Sequence, residues 1–79
     1  MAQTKSIAAQ IEDEQYDLDS YNRRIAKWEA RFDAADLGTH ESHESERMLM
    51  RLQRDRMDTK INIKRLERDA RTAARETAK

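Results

Sequence analysis

A seven-residue rhythm runs through both halves of this chain and constrains its fold more than any other feature. Ile7, Ile11, Leu18, Tyr21, Ile25, Trp28, Phe32 and Ala35 recur at the alternating steps of a heptad, with Glu14 the one polar member of the series. A second series, Leu49, Leu52, Ile63, Leu66, Ala70 and Ala73, carries Arg56 and Thr59 as its polar members. Gly38, the only glycine, lies between them. A repeat of about 3.5 residues turns one narrow seam of each helix toward a partner helix. The chain is therefore expected to be all-α: two long helices folded back on one another as an antiparallel, coiled-coil-like hairpin.

Composition supports helix and narrows the alternatives. Charged residues make up 41% of the chain, apolar ones 37%, and there is no proline to interrupt a helix. A charge-rich chain of this kind is also a candidate for disorder, but disorder does not sustain a heptad over both halves. The expected single domain spans residues 1–79. Helix 1 runs from about 4 to 37 with Thr4 or Ser6 as its cap, and the turn covers about 38–40. Helix 2 runs from about 41 to 74, capped by Thr39, with a frayed end beyond it.

Facing seam residues of an antiparallel pair can be matched outward from the turn. Phe32 meets Ser45, Trp28 meets Leu49, Ile25 meets Leu52 and Tyr21 meets Arg56. Farther out, Leu18 meets Thr59, Glu14 meets Ile63, Ile11 meets Leu66 and Ile7 meets Ala70. The polar members Glu14, Tyr21, Arg56 and Thr59 cluster mid-rod, where Arg56 over an aromatic face or against a carboxylate would fix alignment.

A second apolar stripe, Met50, Met57 and Ile61, lies on the far side of helix 2 from Leu52, Ile63 and Leu66. A lone hairpin needs one seam only. The stripe is expected to serve self-association, as a homodimer forming a four-helix bundle, or contact with another protein. Tyr16, outside the first seam, is assigned to the same contact.

Charge offers a competing use for helix 2. Net charge is zero, yet residues 1–40 carry a surplus of acids and residues 41–79 a surplus of bases. Opposite charge on two paired helices gives attraction along their flanks. The sharper reading is a nucleic-acid face built from Lys60, Lys64, Arg68, Arg71 and Arg75, which recur at helical spacing. Glu67, Asp69 and Asp58 among them, and the lack of interleaved aromatics, count against it.

Chemistry is hard to place on this chain. His40-Glu41-Ser42-His43-Glu44 spaces its histidines by three, whereas a helical zinc-protease pair needs four, and no third histidine exists. One glycine cannot make a phosphate-binding loop, and no nucleophile–base pair stands out. The acidic run Glu12, Asp13, Glu14, Asp17 and Asp19 reads as a solvated helix face. No enzyme activity, cofactor, metal or small-molecule substrate is expected.

The absence of cysteine, of a signal-like apolar core and of any apolar stretch beyond triplets such as Ile7–Ala9 leads to the expectation of a soluble cytoplasmic protein. The function expected first is a small interaction module: an adaptor, assembly factor or stoichiometric inhibitor, the last a role that virus-encoded hairpins also fill. An RNA- or DNA-binding hairpin dimer is the alternative, and a purely structural rod the third. Fold alone does not choose between them.

Overall fold

Chain reversal in this molecule is built by a short hydrogen-bonded unit between two helices. The computed structural model describes residues 5–77. These form α1 (Ile7–Ala34) and α2 (His40–Thr77), with no strand among the described residues. Ser6 caps α1: its backbone is extended and its Oγ accepts the Ala9 N–H at 3.1 Å, which satisfies a donor the helix start leaves unpaired. Thr4, the other candidate cap, lies outside the described residues.

α1 stops three residues earlier than the sequence suggests. Ala35 leaves helical geometry at φ −81° and ψ 142°, while its N–H still reaches the Arg31 carbonyl at 3.0 Å. The reason lies just beyond. The Asp36 carbonyl accepts both the Thr39 N–H, at 3.3 Å, and the Thr39 hydroxyl, at 2.7 Å. Residues 36–39 thus form a β-turn with Gly38 at its third position and φ +84°, the value a type II turn requires there. Gly38 is left-handed as expected but serves the turn; it does not end the helix. The Thr39 hydroxyl also accepts the Ser42 N–H at 3.2 Å, so the residue that closes the turn caps α2. At the other end α2 continues to Thr77, past the expected boundary, with Arg75 in its last turn, where the helix dipole favours a cation.

Two helices of these lengths laid end to end would span on the order of 100 Å. The longest extent is 61 Å, with 27 and 14 Å in the other directions, so α2 lies back along α1 and the molecule is a plate one helix thick. Arg56 Nη1 donates to Asn22 Oδ1 at 3.2 Å, linking residues 34 apart and tying the middle of α2 to the middle of α1. This is not the partner expected for Arg56. The Tyr21 ring is instead covered by Arg24 on its own helix, 5.0 Å from the guanidinium carbon to the ring centre. Trp28 is covered by Arg31 in the same way, at 4.7 Å. Helix neighbours three apart reach an aromatic face without crossing the seam, which leaves Arg56 free to bond Asn22.

Burial follows one line along each helix. Ile25, Leu52 and Ile63 are buried, and Ile11, Leu18, Tyr21, Trp28, Phe32, Leu49 and Leu66 are half-buried. Ser42, Ser45 and Thr59 are buried with them. The two serines extend the α2 line toward the turn, where the expected register sets Ser45 against Phe32. Ala73 is exposed. Ser42 and Thr59 satisfy their hydroxyls on the carbonyls of Thr39 and Asp55, both at 3.0 Å. Ser45 Oγ, fully buried, has no hydrogen-bond partner among the described residues.

Two stability predictions follow from these local arrangements. Gly38→Ala should cost about 1–2 kcal/mol, because an L side chain resists positive φ. A Cβ there meets nothing within 4 Å, so the cost is wholly that of the backbone. Ser45→Ala should raise stability by about 1 kcal/mol by removing an unsatisfied buried hydroxyl. Urea midpoints at one fixed protein concentration measure both, and a destabilised Ser45→Ala would mean that the hydroxyl has a partner.

Candidate interaction face

Successive helix residues turn by about 100°, so Met50, Met57 and Ile61 fall within an arc of about 40° on α2. Leu52, Thr59 and Ile63, which face α1, lie about 180° away on the same helix. The stripe therefore occupies the back of α2, on one narrow edge of the plate. Its members are 63%, 56% and 40% exposed. Three large apolar side chains open to water along one helical line form an unpartnered face, which isolated surface hydrophobics do not.

Tyr16 is also exposed, at 71%, but it stands elsewhere. Its direction on α1 is about 160° from those of Leu18 and Glu14, which puts it on the back of α1. The two backs are opposite edges of the plate. One partner helix lying on the Met50–Ile61 stripe does not reach Tyr16, so the expected grouping of all four residues does not correspond to one contiguous face. Leu37 adds an exposed apolar side chain that sequence reasoning missed. It reads as the last helical residue, whereas the Asp36–Thr39 turn lifts it to the tip.

The basic residues continue the same back. Lys64, Arg68, Arg71 and Arg75 follow Ile61 along nearly the same arc, and Lys60 stands on the flank; all are exposed. Ile61, Lys64, Arg65, Glu67, Arg68 and Arg71 line an open surface groove of about 450 Å³. The back of α2 is thus mainly apolar through its middle, where Arg54 stands among the three apolar side chains, and cationic toward its C-terminal end.

Ion pairing does not tie these charges to α1. Among the described residues the one ion pair joins Lys5 to Asp13, beside the start of α1. The hydrogen bond to Asp13, reinforced by the charge of that carboxylate, holds the Lys5 ammonium above its usual pKa. A raised lysine value stabilises the fold below the ordinary lysine pKa and loses that effect as pH rises through the raised one, so the pair is indifferent to changes near neutrality. The flank attraction between an acidic α1 and a basic α2 is thus not expressed as direct pairs among the described residues. Arg56 to Asn22 is the one side-chain hydrogen bond between the helices there.

His40 and His43 are exposed beside the turn, and no group of three or more His, Cys, Asp or Glu side chains positioned to hold a metal occurs among the described residues. None of the described helices is long and apolar enough to cross a membrane. Comparison with protein-family models, with curated proteins and with solved structures finds no match to this chain.

Proposed function

We propose that this chain is a non-enzymatic interaction module: a helical hairpin that dimerises and acts by stoichiometric binding to another protein, as an adaptor, assembly factor or inhibitor. The observation that carries the reading is the Met50–Met57–Ile61 stripe, exposed on the back of a helix whose opposite side is already packed. Surface area supports it. A monomeric protein of this mass typically exposes about 5,000 Å², whereas this chain exposes 6581 Å². The radius of gyration, 17.9 Å, likewise exceeds the roughly 12 Å of a compact domain of this length. A plate 14 Å thick offers binding faces and little depth for an enclosed cleft. Methionine suits such a face, since its flexible, polarisable side chain adapts to the surface it meets.

A second reading, nucleic-acid binding, is favoured by one observation: Lys64, Arg68, Arg71 and Arg75 lie exposed in one row and take part in no ion pair among the described residues. Such a row would track phosphates, with affinity falling steeply as salt rises.

The two readings separate experimentally. The double variant Met57→Glu/Ile61→Glu should weaken association about 100-fold or more, because two carboxylates must then be desolvated at the contact. Its circular dichroism should remain that of a helical protein. Unchanged mass in light scattering, together with unchanged partner binding, would remove the stripe as an interface. Lys64→Glu/Arg68→Glu should abolish any salt-sensitive binding of duplex RNA or DNA, and binding that survives the reversal would exclude this row.

A further inference from the structure

We infer that the back of α2 pairs antiparallel with the back of α2 in a second copy of this chain, with Met50 of each opposite Ile61 of the other. This rests on the interaction reading above and names the occupant of the stripe. Three observations converge on it.

The first is direction. A square four-helix bundle asks each helix to contact two neighbours at roughly a right angle around its axis. Here the exposed stripe lies about 180° from the internal seam. The geometry suits a flat layer, in the order α1, α2, second α2, second α1. It does not suit a square arrangement of the four-helix bundle expected from the second stripe.

The second is apolar overlap. A two-fold contact is self-complementary, so each residue meets a mate and the mate meets it in return. The apolar side chains of this arc run from Met50 to Ile61 with Arg54 among them, and polar residues flank the span on both sides. Setting Met50 opposite Ile61 superposes the whole span on its copy and places Met57 beside the two-fold axis, opposite Arg54 of the copy, whose aliphatic stem can cover the methionine while its charge stays at the edge. A shift of about one turn sets Ile61 against Glu46 in one direction and Met50 against Lys64 in the other, so an end of the apolar span then lies outside its copy.

The third is charge. α2 is electrically polar along its length. Residues 40–46 hold Glu41, Glu44 and Glu46 with no lysine or arginine, whereas residues 60–75 hold six basic side chains against Glu67 and Asp69. Antiparallel pairing brings the basic end of each copy over the acidic start of the other, with Glu46 alongside Lys64. A parallel pair would instead stack the Lys64–Arg68–Arg71–Arg75 row on its own copy. Like charges juxtaposed in this way cost several kcal/mol.

The chain lacks cysteine, so single thiols report the arrangement without interference. Met50→Cys and Ile61→Cys would be prepared separately, checked for helicity, then oxidised with a glutathione redox buffer alone and as an equimolar mixture. The wild-type mass would be measured by light scattering in parallel. Expected are a wild-type dimer and at least about tenfold more disulfide in the mixture than in either variant alone, since opposed charges exclude the parallel form. Self-linked Met50→Cys and self-linked Ile61→Cys in equal yield would overturn the antiparallel pairing while keeping the stripe as an interface. A dimer that links in neither form would place the contact elsewhere and overturn the inference. A wild-type monomer would overturn self-pairing and the dimerisation in the proposed function, and would leave the stripe to a foreign protein, so that only the partner-binding part of that reading would stand.

Discussion

The Asp36 carbonyl accepts two hydrogen bonds from Thr39, and the rest of the structure depends on that arrangement. It fixes where α1 ends, supplies the turn in which Gly38 takes positive φ, and orients the hydroxyl that caps α2. Because the reversal is short and rigid, the angular phase of α2 relative to α1 is set before any seam residue is considered. The Arg56–Asn22 bond, far from the turn, shows that phase carried to the middle of the rod. A different loop would rotate α2, and the Met50–Met57–Ile61 stripe would no longer stand on the back of the plate.

Seen this way, the molecule has little interior and much edge. Ile25, Leu52 and Ile63 are its buried apolar side chains among the described residues, flanked by half-buried ones. Near the turn the expected register sets the large Phe32 of α1 against the small Ser45 of α2. Small side chains let helix axes approach, but a serine hydroxyl must then find an acceptor in a place without water. Ser42 and Thr59 return theirs to the preceding turn of the helix; Ser45 does not.

Much of this was legible in the residues themselves, and the remainder was hidden for identifiable reasons. Helical content and two long segments separated near Gly38 follow from heptad spacing and the lack of proline. The position of Met50, Met57 and Ile61 relative to Leu52 and Ile63 also follows from periodicity, since helical phase is a property of spacing. Helix ends were less legible: glycine after a helical run commonly marks a C-terminus, and here it marks the third place of a turn whose partner bonds involve Asp36 and Thr39. Register matching places Ser45 in the seam opposite Phe32, whereas Ser42 is not legible as core because its polar character outweighs its position in the pattern. Tyr16 was grouped with the methionines on shared exclusion from a seam, a criterion that cannot tell one edge of the plate from the other.

The short reversal also orders the seam in time. Contacts beside the turn join residues close in sequence, while those at the open end, such as Ile7 with Ala70, would close nearly the whole chain into a loop. Closure entropy grows with loop length, so contacts near Gly38 carry the smallest entropic cost and each makes the next one local. The route of lowest closure entropy therefore runs outward from Thr39 toward the free ends, in the manner of a zipper. The last stretch to dock is also the basic one. Until it does, Lys64, Arg68 and Arg71 belong to a chain still searching for its neighbour, and the acidic stretch from Glu12 to Asp19 on that neighbour favours their approach.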